Sequence, residues 1–104
     1  MMKLHWSPKS PYVRKVMVCA HELALLDRLQ LQRSVAAMLK PNPGLMDDNP
    51  LSKIPTLVLD DGSTLFDSVV ICEYLNDLVA GPLFPKDAGK WPALRWHALG
   101  DGLL

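Results

Sequence analysis

Ser7-Pro8-Lys9-Ser10-Pro11-Tyr12-Val13-Arg14-Lys15-Val16 is the stretch on which the reading of this 104-residue chain turns. Before it, Met1 to Trp6 is a short apolar run of strand type. After it, Val13, Val16, Met17, Ala20 and Ala24 recur every three or four residues, which predicts an amphipathic helix from Pro11 to about Leu25. Ser10 stands where an N-cap belongs, and Pro11 occupies the first helical position. There the fixed φ of proline suits the helix, and the N–H it lacks would have had no partner. A strand that hands over to a helix in this way leaves free N–H groups and partial positive charge at its carboxyl end, a place for an anion.

Working outward, Leu29 to Val35 is a weaker strand candidate, with Leu29, Leu31 and Arg33 opposite Gln30, Gln32 and Ser34. Lys40 to Pro50 carries three of the nine prolines, Gly44 and the pair Asp47-Asp48, which predicts a loop with at most a short helix around Leu45 to Asp48. Pro55 to Leu59 reads as a strand, Asp60-Asp61-Gly62-Ser63 as a turn of the Asp-Gly hairpin type, and Thr64-Leu65-Phe66 as the antiparallel return. Asp67-Ser68 supplies a second N-cap. Val69, Ile71, Cys72, Leu75 and Leu78-Val79 follow at helical spacing, and Ala80-Gly81-Pro82 ends the run. A last helix starts around Trp91-Pro92 and runs to Leu104, with Leu94, Ala98 and Leu99 on its apolar side.

The order β-α-β-α-β-β-α predicts an α/β domain: a four-stranded mixed sheet flanked by helices. The last helix has an apolar side that one short helix cannot bury alone. The expectation is therefore a chain that forms the front of a longer architecture, or one that pairs its last helix with another chain.

Composition narrows the function classes. Hydrophobic residues make up 49% of the chain, enough for one small core. Lys+Arg and Asp+Glu both number 11, so no net field draws the chain to nucleic acid or to an acidic membrane surface. The apolar runs are far too short to span a bilayer, and the N-terminus lacks the long apolar stretch of a signal peptide, so the expected compartment is the cytoplasm. Cys19 and Cys72 fall at apolar positions of predicted helices, with no Cys-x-x-Cys, and read as buried reduced thiols. His5, His21 and His97 show no metal-ligand spacing, so no metal is assigned.

Four motifs in order carry a resemblance: the opening Ser-Pro-Lys-Ser-Pro-Tyr-Val-Arg-Lys-Val, Asn49-Pro50-Leu51-Ser52-Lys53-Ile54-Pro55-Thr56-Leu57, Leu65-Phe66-Asp67-Ser68 and Leu83-Phe84-Pro85. Together they resemble the N-terminal, thioredoxin-like domain of bacterial glutathione S-transferases. The resemblance implies a thioredoxin-like βαβαββα domain over residues 1–80, a linker at 81–90, and at 91–104 the first helix of an incomplete all-helical domain. In that family the helical domain supplies most of the electrophile pocket and much of the dimer contact.

The same resemblance implies site roles. Ser10-Pro11-Tyr12-Val13 replaces both cysteines of the redox turn, which excludes dithiol chemistry there. Ser10 becomes the catalytic hydroxyl that steadies the glutathione thiolate; the plainer alternative is that it only caps its own helix, and Ser7 offers the same Ser-Pro pattern. Tyr12 would line the pocket beside it. Ile54 would present its backbone to the cysteinyl part of glutathione beside a cis Pro55, against the alternative of an ordinary trans proline. Asp67 would pair with the γ-glutamyl ammonium and Ser68 with its carboxylate. Lys53, or less directly Lys40, would reach the glycyl carboxylate. Asp101 resembles an acidic residue that in some family members approaches the glutathione amine across the dimer.

Two functions follow. One is a glutathione transferase-like protein, a homodimer using glutathione as co-substrate against a small hydrophobic electrophile in its complete two-domain form. The other is a non-catalytic binding or interaction module on the same fold. Joint retention of Ser10, Ile54-Pro55 and Asp67-Ser68 favours the first, because a scaffold needs none of those side chains.

Overall fold

The computed structural model describes residues 1–34, 43–51 and 53–103. Val35, Lys40, Ser52 and Leu104, which enter the expectations above, lie outside them. The strands are β1 (Met2–Trp6), β2 (Leu29–Arg33), β3 (Thr56–Val58) and β4 (Thr64–Phe66). The helices are α1 (Pro11–Glu22), the four-residue α2 (Pro43–Met46), α3 (Ser68–Leu78) and α4 (Lys90–Gly102). The sheet order is β2-β1-β3-β4. β1 runs parallel to β2 and antiparallel to β3, and β3 pairs antiparallel with β4. This is the expected four-stranded mixed sheet of the thioredoxin-like class.

Burial along β1 explains its two-sided role. Met2 and Leu4 are buried in one core with Val16 and Ala20 of α1, Leu57 of β3, and Ile71, Cys72 and Leu75 of α3. Full burial of each large aliphatic side chain contributes about 1.5–3 kcal/mol, so this face holds the domain together. Lys3 and His5 point the other way. Both meet Asp48, just after α2, so the second face of the sheet is covered by the segment leading toward Pro55.

Several boundaries differ from the sequence reading by a few residues, β3 (Thr56–Val58) and α2 (Pro43–Met46) among them, and three differences have a clear local cause. α1 stops at Glu22 rather than Leu25, because the chain turns at Ala24 with φ 56°. Leu25 N–H then reaches Ala20 O at 2.8 Å and Ala24 N–H reaches His21 O at 3.1 Å. That is a Schellman ending, with alanine where glycine is usual, and its apolar Leu25 prolonged the helical pattern. The β3–β4 hairpin closes over Asp60-Asp61-Gly62, with Leu59 N–H to Ser63 O at 2.8 Å and Gly62 N–H to Leu59 O at 3.0 Å. Within the loop only Gly62 has positive φ (87°), so this is a three-residue loop with a glycine bulge, not the Asp-Gly turn that needs two such residues. α4 begins at Lys90, which puts Pro92 inside its first turn, where proline is tolerated.

Candidate functional site

α1 opens as its sequence dictates: Ser10 Oγ accepts the Val13 N–H at 3.2 Å and Pro11 follows. α3 opens by the same device, with Asp67 Oδ1 accepting the Val69 N–H at 3.0 Å. Asp67 holds φ 75° and ψ 124°, a backbone region that costs a residue with a Cβ about 1–3 kcal/mol. Between the two helix starts, Ile54-Pro55 is a cis peptide bond at the head of β3.

These three features enclose one cavity of about 610 Å³. Tyr12 enters it from α1; Asn49, Leu51, Lys53, Ile54 and Pro55 from the loop before β3; Phe66, Asp67, Ser68 and Val70 from the β4–α3 corner; and Asp101 from α4. The volume is within the range of small-ligand sites. Five of the six site residues named from sequence therefore line one cavity: Lys53, Ile54, Pro55, Asp67 and Ser68. Ser10 is not in the lining; it caps α1 two residues from Tyr12, which is. Ser68 is nearly fully buried while Asp67 is exposed, so the corner offers a sheltered hydroxyl beside an open carboxylate.

Polar contacts brace this lining. The fully buried Asn49 donates from Nδ2 to Lys53 O (3.2 Å) and Thr56 Oγ1 (3.1 Å), and its Oδ1 accepts the Leu51 N–H (2.9 Å). One residue earlier, Asp48 Oδ2 lies 2.6 Å from His5 Nε2 and 3.3 Å from Lys3 Nζ, and His5 Nδ1 lies 2.7 Å from Ser34 Oγ. The His5 hydrogen bond, with help from Lys3, holds the Asp48 carboxyl below its usual range despite the opposing effect of burial. On the far side Lys15 Nζ donates to Asp101 Oδ1 at 2.6 Å. His97, beside that pair and against the Phe84 ring, is pushed down by burial and by Lys15.

Nothing in the sequence alone marks Asn49, although it stands in one of the quoted motifs, and His5 reads there only as a metal-ligand candidate without the spacing. A polar residue inside a strand was the available signal for His5, but its partners lie 29 and 43 residues away in the chain. Among the described residues no cluster of His, Cys, Asp or Glu suits a metal ion, and no helix is long and apolar enough to cross a membrane.

Comparison with known proteins agrees with this geometry. Residues 9–78 match the family described as glutathione S-transferase, N-terminal domain. The uncharacterized GST-like protein YibF of Escherichia coli (strain K12) is 33% identical over 105 residues, covering 99% of this chain and 50% of that protein. A glutathione transferase family member from Pseudomonas fluorescens Pf-5, crystallised with bound glutathione, superposes with a TM-score of 0.95 at 47% identity, covering 98% of this chain and 51% of that one. A second crystal structure of that Pseudomonas protein, with bound S-(propanoic acid)-glutathione, superposes at 0.86 with 44% identity, covering 98% and 49%. The chain thus spans about half the length of the relatives it matches. By the match over residues 9–78, and by the cis-proline turn set between two capped helix starts, this chain belongs to the glutathione S-transferase family, of which it carries the N-terminal domain.

Proposed function

We propose that the chain binds glutathione in the cavity between α1, the Ile54-Pro55 turn and α3, and that in a two-domain form it adds the glutathione thiolate to a small hydrophobic electrophile. The observation that carries this reading is the convergence of Ile54, Pro55, Asp67 and Ser68 with the start of α1 on one cavity. A γ-glutamyl group has one ammonium and one carboxylate. The exposed Asp67 carboxylate suits the first; the Ser68 hydroxyl and the open N–H groups of α3 suit the second. The Ile54 backbone is left for the cysteinyl amide and Lys53 for the glycyl carboxylate. The ligands bound in the two crystal structures of the Pseudomonas protein, glutathione and a thioether of it, support the same chemistry.

Ser10 is assigned the thiol. Capping Val13 uses one lone pair of its hydroxyl and leaves the proton to donate toward a thiolate. If the site lowers a thiol pKa from about 8.5 to about 6.5, the thiolate fraction at pH 7 rises about 25-fold. Intrinsic nucleophilicity falls roughly eightfold in the same step, so the net gain is only about threefold. Most of any rate enhancement must therefore come from holding the electrophile against the sulfur. We further assign the protein to the cytoplasm and to a homodimer, where reduced Cys19 and Cys72 and the apolar outer side of α4 are both accommodated.

One observation favours a second reading, an interaction module on this fold. Trp96 and Leu99 on α4, and Leu103 just past its end, share a side turned away from Leu94 and His97, and they are 53–79% exposed.

The deciding experiment is a thermal-shift titration with glutathione, paired with ultraviolet titration of the bound thiol. At tenfold excess over Kd, binding adds about 1.4 kcal/mol, a rise in Tm on the order of 5–10 °C for a domain this size. Ser68→Ala is expected to weaken binding and Ser10→Ala mainly to raise the bound thiol's pKa. No response of the unmodified chain to millimolar glutathione would sink the first reading and leave the second.

A further inference from the structure

We infer that Asn49 is a positioning residue, which shapes the Lys53–Thr56 turn so that the Ile54 backbone meets the cysteinyl part of a γ-glutamyl peptide thiol, and which thereby sets affinity for that part separately from the γ-glutamyl end. The inference rests on the glutathione reading above and deepens it. Its ground is a closed ring of hydrogen bonds. Asn49 Nδ2 donates to Lys53 O and to Thr56 Oγ1, and Thr56 Oγ1 donates to the same Lys53 O at 2.8 Å. Two donors on one carbonyl fix the peptide that joins Lys53 to Ile54. Asn49 Oδ1 accepts the Leu51 N–H and pins the loop's other end. A carboxamide has two N–H donors and one oxygen, and each has a partner within seven residues along the chain.

Thr56 is where sheet pairing begins, opposite His5, so Lys53 and Ile54 precede the sheet and take their shape from this ring. The anchor behind Asn49 is equally firm. Its N–H reaches Leu45 O at 2.8 Å, and the preceding Asp48 is bound to His5 on the central strand. Asn49 thus relays the rigidity of β1 to a turn that the sheet does not itself hold. Full burial raises the stakes, because removing the two Nδ2 donors leaves Lys53 O with one partner and opens the ring. Asp67 and Ser68 take their shape from the cap of α3, and their link to the ring is the backbone pairing of Thr56 with Phe66, which neither side-chain substitution below removes.

The test uses Asn49→Asp, which keeps the shape and the Leu51 acceptor but removes both donors, with the near-isosteric Thr56→Val as a second variant should the first fail to fold. Two probes are titrated calorimetrically: glutathione, and γ-glutamyl ethylamide, which has the γ-glutamyl end and lacks the cysteinyl carbonyl and the glycine. Loss of the ring is expected to weaken glutathione about tenfold and γ-glutamyl ethylamide less than twofold in either variant. A structural role alone would weaken both probes alike, and that result, or unchanged glutathione affinity in a folded variant, overturns the inference. Failure of the unmodified chain to bind either probe overturns the glutathione reading itself and this inference with it.

Discussion

Lys15 Nζ donates to Asp101 Oδ1 at 2.6 Å, joining the second turn of α1 to the end of α4 across 86 residues of chain. Both side chains are about three-quarters buried, so the pair is screened less than an ordinary surface bridge. The same carboxylate lines the cavity, which makes this bond the tie between α4 and the site. Lys15→Met leaves Asp101 without its cation. We expect a loss of about 1 kcal/mol in urea denaturation, with faster hydrogen exchange along α4 and little change in β1.

Two helices end on an alanine in the left-handed region: Ala24 after α1 (φ 56°) and Ala80 after α3 (φ 49°), where Gly81 N–H reaches Asn76 O at 2.8 Å. Glycine adopts this backbone without the Cβ penalty. Ala24→Gly and Ala80→Gly should each raise stability by about 0.5–1 kcal/mol. Gly81→Ala should do the reverse. A Cβ there would lie 2.5 Å from Leu23 Cδ2 and 2.6 Å from Asn76 Oδ1, which accepts the Leu83 N–H. A cost of about 1–3 kcal/mol in the same assay is expected.

These endings also show where the sequence was readable. Serine, aspartate and proline mark helix starts by chemistry contained in a few neighbouring residues, so both starts at the cavity were legible. Ala24 gives no such mark: nothing in alanine announces a positive φ, and the Leu25 that seals the turn continues the apolar spacing. Asp67 was legible as a cap, but its strained backbone was not, because that is imposed by the corner between β4 and α3. The His5–Asp48 and Lys15–Asp101 contacts were invisible for another reason. Each joins residues more than forty positions apart, and only the sheet order and the return of α4 onto α1 bring them together.

Asp67 is asked to do two things, and substitution separates them. Its side chain caps α3 through Val69 N–H, and its charge is assigned to the ligand ammonium. Asparagine at this position would keep a capping oxygen and the tolerance for positive φ while losing the charge. Asp67→Asn should therefore weaken glutathione about tenfold with stability within about 0.5 kcal/mol of the unmodified chain. Asp67→Ala should lose affinity and about 1 kcal/mol of stability together. Equal glutathione affinity of Asp67→Asn and the unmodified chain would leave the residue a cap and nothing more.

Asp48 predicts a pH dependence whose sign follows from its hydrogen bond to His5. Its carboxyl sits below the 3.8 of an unfolded aspartate, so on acidification the unfolded chain takes up this proton first. The stability it contributes is complete above about pH 5 and is lost as pH falls through its folded-state value. Asp48→Asn should cost about 1.5–3 kcal/mol at neutral pH, the range of hydrogen bonds to charged groups. The gap between the two proteins should close below that value. A constant gap down to about pH 2.5 would show that the carboxylate's charge contributes nothing.

Cys19 and Cys72 make the last prediction. Cys19 on α1 is half-buried and Cys72 on α3 fully buried. A hydrogen bond from the Cys72 thiol, helped by Lys15 and opposed by burial, pulls Cys19 down to about 7, while the same bond and its burial hold Cys72 well above the usual thiol range. Iodoacetamide should therefore modify Cys19 with a rate midpoint near pH 7 and leave Cys72 untouched in the folded chain, as peptide mass mapping would show. Cys72→Ala removes the larger cause and should move that midpoint up toward 9.0; Lys15→Met should move it less. A folded-state value below the unfolded one means that ionised Cys19 stabilises the fold, fully above about pH 9 and progressively less as pH falls to about 7. Unmodified protein should thus gain stability over Cys19→Ser between about pH 7 and pH 9; equal slopes for the two proteins would show that Cys72 does not donate to Cys19.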